Sequence, residues 1–511
     1  MIGGPVFCGL PNLPDPLNWN CMDQTSGCPV RTEDHAITYF TSLSAAGFVA
    51  TAISFGPARM GFGLFVPDFR SAFSMTTSTV GFVSSLGFTG FFIGLLAAQW
   101  MLSRQGPAAP VLFGLAAASV GLATVAMAPN VIILAAGVFL ATSRAGFAWT
   151  PFNDAVHRKI EGADCASAFS EISSGTSLGI FATGLAALWM VYAGISWRLC
   201  WLIFAIAALI GLACNFAILR QIEKMSPATR SDQRWTSLLQ PVAAALFAIA
   251  FVFGATSAIY IAFAVDYMAE VGGIPGLSND TIPALVFVFY GLFGLTGLLT
   301  ARLQYLTGLP WLIRSLMLAG ALSLTVIAIS PGSWAGLILS AGLQGVHLMG
   351  TSAVLALWSE QLFPALPSFS FTAALPATAA GNVLGPALAG LASTAFGAPA
   401  MFLTAAALPA ITLVALLGRR HCVGDPNSRL LNADGAQGSA FAGACSHHRC
   451  LRGHAKPLSR RVLIFLRKEL QLGLCEGGGQ HGAPFFQGAF PDNGDTAKRA
   501  LPLQAKDHVV P

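Results

Sequence analysis

Two decapeptides fix the plan of this chain: GTSLGIFATG from Gly175 to Gly184 and GNVLGPALAG from Gly381 to Gly390. Gly175, Gly179 and Gly184 match Gly381, Gly385 and Gly390 at a constant offset of 206 residues. Gly87 and Gly90 relate to Gly291 and Gly294 at nearly the same offset, as does the run IILAAG at 132–137 to LILSAG at 337–342. The body of the chain is therefore a duplication. Small residues four apart line one face of a helix and let a second backbone approach closely, which is how helices associate in lipid, where hydrophobicity alone sorts nothing. Each decapeptide lies in a long apolar segment, so the repeated unit is a set of membrane helices.

With 55% hydrophobic and only 10% charged residues, the 511-residue chain is composed as an integral membrane protein. A spanning helix needs roughly 20 apolar residues. Such stretches fall at 43–66, 80–100, 111–127, 131–150, from Glu171 to the GISWRLC turn, 201–219, 241–265, 282–300, 311–329, 334–357, 370–393 and 400–417. The expected fold is all-α: twelve transmembrane helices in two pseudo-symmetric six-helix bundles, 43–219 and 241–418, joined by a polar connector at 220–240. Residues 1–42 lack a basic stretch followed by an apolar core, so they do not read as a signal peptide and are expected to be a disordered leader. The ten cysteines show no disulfide or zinc spacing within the apolar body.

Lys and Arg in the short loops set orientation. One side holds Arg104, Arg158, Lys159, Arg220, Lys224, Arg230, Arg234 and Arg302; the other holds Arg70 and Arg198. This bias places both termini in the cytoplasm, with the protein as a multi-pass component of the cell membrane.

Two arginines stand inside spans. Arg59 is eight residues before Pro67 and Arg144 seven before Pro151. At about 1.5 Å per residue they lie about 12 Å and about 10 Å from their respective surfaces. No acidic residue of the first six spans occurs at that depth. Intramembrane charge is costly and marks solute pathways. Either one or both guanidiniums, Arg144 first, are locked by backbone carbonyls at a bundle contact, or they clamp a carboxylate-bearing solute, bidentate at one fork. His347 follows Gln344 by three residues in GLQGVHLMG, on the same helix side. It reads as a structural bond to a neighbouring helix or as a proton carrier. Glu171 opens the fifth span as an interfacial group or a proton relay. Asp266 and Glu270 read as ordinary solvated carboxylates at the end of the seventh span, and the 37 phenylalanines as lipid-facing bulk. The decapeptide glycines, with Pro386, pack the bundles or let them bend.

The six-plus-six duplication, the basic connector, the GxxxGPxxxG run at 381–390 and the Trp197–Arg198 pair resemble the major facilitator superfamily of secondary transporters, over about residues 43–418. Members carry a glycine, aspartate and basic signature after the second span; here Arg104 and Gly106 are retained and Ser103 stands where the aspartate falls. Arg144 matches the family's fourth-span arginine, with Gly146 two residues on. The proline-containing glycine run typical of fifth spans sits in the eleventh, and Ile180 occupies the proline position of the fifth.

The resemblance implies alternating access, two bundles rocking about a midplane site. The expected function is transport of a small organic anion, with protons as a possible co-substrate; the alternatives are an exporter of hydrophobic compounds and a non-transporting receptor or scaffold. A scaffold has no use for charge in hydrocarbon. No nucleophile–base–acid cluster, phosphate loop or zinc motif points to an enzyme. The expected partners are the solute and the bilayer, with no cofactor, metal or nucleic acid, and the protein is expected to be a monomer.

From Arg419 onward 13 basic residues face 7 acidic ones, against 14 and 15 before it, so the whole positive balance of the chain, +5 in all, comes from this tail. Cys445, His447, His448 and Cys450 are crowded into six residues, unlike a zinc site. The duplication ends near Leu417, so truncation after Arg420 is expected to leave membrane insertion and transport intact; a truncated protein that fails to reach the membrane would make the tail part of the fold.

Overall fold

The computed structural model describes residues 31–159, 163–220, 241–271, 273–362 and 367–418. The leader up to residue 30, Lys224, Arg230 and Arg234 of the connector, and the tail from Arg419 lie outside the described residues. Within them the regular structure is helical. Helix α1 (Arg31–Ile53) starts before the apolar run at Leu43 and passes through a π-helical turn, Ser54–Ala58, into α2 (Arg59–Leu64). The path then bends by 48° into α3 (Val66–Phe73). The first half continues with α4 (Thr77–Gln105), α5 (Ala108–Ala126), α6 (Val131–Gly146), α7 (Trp149–Lys159), α8 (Ala163–Ala193) and α9 (Trp197–Leu219). The second comprises α10 (Pro241–Glu270), α11 (Ile282–Gly294), α12 (Thr300–Thr307), α13 (Leu309–Ile329), α14 (Trp334–Leu362), α15 (Pro367–Phe396) and α16 (Ala398–Gly418). Eleven of the described helices are long and apolar enough to cross a membrane, and the bent first element makes twelve.

Two stretches differ from the periodicity. The segment around Asp154, which reads as a loop, is helical, because Pro151 sits in the first turn of α7 where its missing N–H costs nothing. The eighth span is interrupted by a 3₁₀ turn, Leu295–Leu299, where Gly294 and Gly297 lie against Ser177 and Met349.

Spans begin where a side chain satisfies the first free N–H groups. Asn130 accepts from the Ile133 amide at 3.0 Å and Thr76 from that of Thr79 at 3.2 Å. The tight turns before α5 and α13 use Gly106 and Gly308 at φ 78°, which other residues rarely adopt.

The halves repeat one packing scheme. Helix α1 packs on α8 as α10 packs on α15, α4 on α6 as α11 on α14, and α5 on α9 as α13 on α16. The two decapeptides do the same work in each copy. A Cβ added at Gly175 would stand 2.6 Å from the Phe48 carbonyl oxygen, and one at Gly179 2.6 Å from the Ala52 Cα, both on α1. Gly381 and Gly385 meet the Ala255 backbone of α10 at 2.8 Å in the same manner. The third glycine of each copy reaches the other half: Gly184 meets the Val288 nitrogen of α11 at 2.7 Å, and Gly390 meets the Thr77 oxygen of α4 at 3.1 Å. Beside it, the Pro386 carbonyl lies over Gly81. Large side chains such as Ile132, Val120 and Leu388 point outward as a lipid-facing coat, while exposed Trp100, Trp189, Tyr192 and Trp311 sit near span ends, as aromatic belts do.

The halves are closed together at the end opposite Arg104. Arg70, at the end of α3, pairs with Asp266 at 2.6 Å and with Glu270, both on α10. Asp266 is only 5% exposed, so it is a buried tie between halves and not the solvated carboxylate that its position in the sequence suggests. Ser78 and Thr394 share a hydrogen bond of 2.7 Å across α4 and α15 at the same end. Replacing Arg70 by Ala removes the ionic tie and leaves two carboxylates unpaired, so this end should open more often. A cysteine at Ser78 in an otherwise Cys-free protein should then react faster with a polar maleimide than in the Arg70 background; an unchanged rate would show that the glycine contacts alone hold the end shut.

Candidate functional site

A cleft lies between the halves, and its lining residues belong to the part of the bundle nearer Arg104. It encloses about 750 Å³ counting its open mouth. Phe55, Arg59, Phe91 and Trp149 supply one wall, and Phe253, Leu348, Ser352 and Thr378 the other.

The local sequence explains how Arg59 reaches this cleft. Pro57 has no N–H to donate to the preceding turn, and the ladder widens into the π turn Ser54–Ala58 directly before Arg59. Gly56 in that turn lies 2.5 Å, as a hypothetical Cβ, from the Gly179 oxygen, so α8 holds the widened turn in place. Arg59 is 8% exposed. Its guanidinium carbon stands 5.5, 5.6 and 5.2 Å from the ring centres of Phe55, Phe88 and Phe91. Its Nε has no hydrogen-bond partner, and the ion pairs among the described residues do not include it. None of the described lining residues is Asp, Glu or His. Aromatic faces attract the cation by about 2 kcal/mol when desolvated but do not neutralise it.

Arg144 is placed differently. It is fully buried inside the first half, with one long hydrogen bond from Nη2 to the Ala50 carbonyl at 3.4 Å, while Nε and Nη1 are unpartnered. Its Cδ faces Gly114 of α5. Its neighbours Ala145 and Gly146 line the cleft but Arg144 does not, so the expected two-arginine clamp is not assembled in this conformation. The helix turns its side chain toward α1 and α5, away from the gap between the halves.

His347 is likewise fully buried. Its Nδ1 lies 2.9 Å from the Leu316 carbonyl on α13, and its Nε2 lies 3.4 Å from the Thr256 hydroxyl on α10. It therefore ties three helices of the second half. Gln344 is buried too but approaches Tyr290 of α11, so the two side chains meet different neighbours. Glu171 is exposed near the start of α8, where its carbonyl accepts from Ser174 at 2.6 Å. Arg104 is exposed and stacks on Trp100 at 4.8 Å, and Ser103 bonds back to the Trp100 carbonyl at 2.9 Å. Gly106 closes that helix by donating to the Leu102 carbonyl at 3.2 Å. Arg198 of the Trp197–Arg198 pair fastens α9 to the end of α5 through the Ala126 and Ala128 carbonyls, at 3.0 and 2.9 Å.

The aromatic wall escapes a reading that treats phenylalanine as lipid-facing. Its signal is the i, i+4 pairing of Phe55 with Arg59 across a proline. The Arg70–Asp266 tie escapes as well, because 196 residues separate its members. The geometry of His347 predicts that His347→Ala, which removes a buried interhelical hydrogen bond, lowers stability by about 1–3 kcal/mol. Transport should keep its pH dependence, measured as initial uptake rate in proteoliposomes; a flattened pH profile would return His347 to the coupling mechanism.

Comparison with known proteins agrees with this architecture. The profile of the Major Facilitator Superfamily matches residues 44–359. No curated protein sequence matches the chain significantly. Among solved structures, a point mutant of the nucleoside transporter NupG is similar at 15% identity and TM-score 0.61, over 75% of this chain and 100% of that one. A bacterial homologue of the human lysosomal transporter Spinster, in an inward-facing and occupied conformation, is similar at 14% identity and TM-score 0.58, over 78% of this chain and 100% of that one. These likenesses concern the fold. On the match of the family profile over more than half its length, the chain belongs to the major facilitator superfamily and is a membrane transporter of small solutes.

Proposed function

We propose that the transported solute is a small organic anion whose carboxylate is received by Arg59, and that the carrier works by alternating access in the cell membrane with both termini cytoplasmic. One observation carries this reading: a buried guanidinium, ringed by three phenylalanines, that makes no ion pair among the described residues. Arg keeps its charge under any membrane condition, so an uncompensated Arg beside a solute cleft calls for an anion from outside the chain. A carboxylate meets its fork with two parallel hydrogen bonds, and the aromatic faces accept the apolar body of the solute. In the proposed orientation the cleft opens to the cytoplasm and the Arg70 tie closes the outer face.

The aromatic wall also suits the alternative, an exporter of hydrophobic compounds. Arg59 repels amines, however, and a neutral solute such as the nucleosides named for NupG leaves its charge unpaired. Thermal-shift measurement on the purified protein with benzoate, phenylacetate, hydrophobic amines and nucleosides separates the classes, since a ligand stabilises the state it binds. Arg59→Lys keeps the charge and loses the fork. It should insert normally and take up the stabilising carboxylate about tenfold more slowly or worse, from the loss of a charged hydrogen bond of about 1.5–3 kcal/mol. Undiminished uptake in this variant, or stabilisation by amines or neutral compounds alone, would sink the anion reading and promote the exporter.

A further inference from the structure

The second half holds a set of polar side chains that the cleft does not reach and the fold does not satisfy. Ser257, Tyr290, Gln344 and Asn382 are each at most 1% exposed. The Ser257 hydroxyl and both amide atoms of Asn382 lack a hydrogen-bond partner, and the Tyr290 hydroxyl and the Gln344 amide, side by side, have none beyond each other. Other buried polar groups of the same half are satisfied: Ser323 donates to the Ser340 carbonyl and Tyr260 bonds the Ser340 hydroxyl, each at 2.8 Å.

The four share a position. Ser257 follows Phe253 by four residues, Gln344 precedes Leu348 by four, and Asn382 follows Thr378 by four. Phe253, Leu348 and Thr378 line the cleft, and residues four apart lie on one helix face, so the three stand one turn beyond its blind end on α10, α14 and α15. Tyr290 joins them from α11, next to Gln344 and within electrostatic reach of Arg59. Thr176, on the cleft wall of α8, adds a further unpartnered hydroxyl from the first half. Neutral donors and acceptors from four helices thus face the same region as the guanidinium.

We propose that Ser257, Tyr290, Gln344 and Asn382 form a polar subsite that opens during the transport cycle and selects organic anions bearing hydroxyl or amide groups over plain hydrophobic carboxylates. The proposal rests on Arg59 as the anion receptor and adds the neutral half of the site. A buried amide left unpaired disfavours the fold, and lipid supplies no water to relieve it. A solute with hydroxyl or amide groups about one helical turn from its carboxylate satisfies these atoms, and a site so built discriminates strongly against an analogue that lacks them. Both amide side chains present donor and acceptor together, which suits hydroxyl and amide groups alike.

Equilibrium binding to the full-length protein tests this with matched acids: cyclohexanecarboxylate against quinate, its tetrahydroxy counterpart, and phenylacetate against hippurate, which carries an amide. The hydroxylated or amide member of at least one pair should bind about tenfold or more tightly than its plain partner, the worth of one buried hydrogen bond. Gln344→Met and Asn382→Leu should each abolish that preference and keep binding of the plain acid, and Asn382→Leu should melt at or above the wild-type temperature, because it removes two unpaired buried polar atoms. Equal affinities within both pairs overturn the subsite. So does a lowered melting temperature in both variants with the preference retained, which gives the amides a structural role. Failure of all four acids to bind would instead strike the Arg59 reading on which the subsite stands.

Discussion

Close approach of helix backbones is the constraint on which everything else in this molecule depends. Lipid tails are as apolar as leucine, so helices inside a bilayer are sorted by shape and not by hydrophobicity. Here the shape comes from glycine. Gly175, Gly179, Gly381 and Gly385 let α8 and α15 lie against α1 and α10 within each half, and Gly184 and Gly390 let the same two helices touch the opposite half. One repeated decapeptide thus builds both the bundles and the seam between them. Gly184 and Gly390 close the seam toward the end of the Arg70–Asp266 tie, and the cleft lies toward the other end.

The same packing places charge where the bilayer does not tolerate it unaided. Gly56 and Pro57 widen the first helix into a π turn held against Gly179, and the next residue is Arg59. The phenylalanines around its guanidinium lower the cost of burial without cancelling the charge. Arg144 shows the contrasting solution: it is enclosed within one bundle, bonded to the Ala50 carbonyl, and kept away from the cleft. Two arginines at similar depth in the sequence therefore have different environments, and only one of them borders the gap between the halves.

Much of the fold is legible in the sequence because its determinants are local or periodic. Apolar runs of spanning length, the 206-residue offset and the placement of Asn130, Gly106 and Gly308 at turns are each visible along the chain. The site is less legible, because it depends on where helices face. Rotation of α6 decides that Ala145 and Gly146 line the cleft while Arg144 does not. Rotation of α14 sends His347 toward Leu316 and Gln344 toward Tyr290, although three residues separate them. Asp266 and Arg70 meet only because the halves close on each other, and no periodicity encodes that meeting. The extension of α7 through Asp154 follows from Pro151 at its start, a signal that hydropathy alone passes over.

Arg59 as the anion receptor of a superfamily transporter is the centre of this account, and a cryo-electron microscopy map of the protein saturated with a stabilising carboxylate tests it most directly. The account predicts the carboxylate density on the Arg59 guanidinium, with the body of the ligand against Phe55 and Phe91. A ligand bound elsewhere in the cleft, or a guanidinium that pairs with a protein carboxylate while the ligand is present, would contradict it.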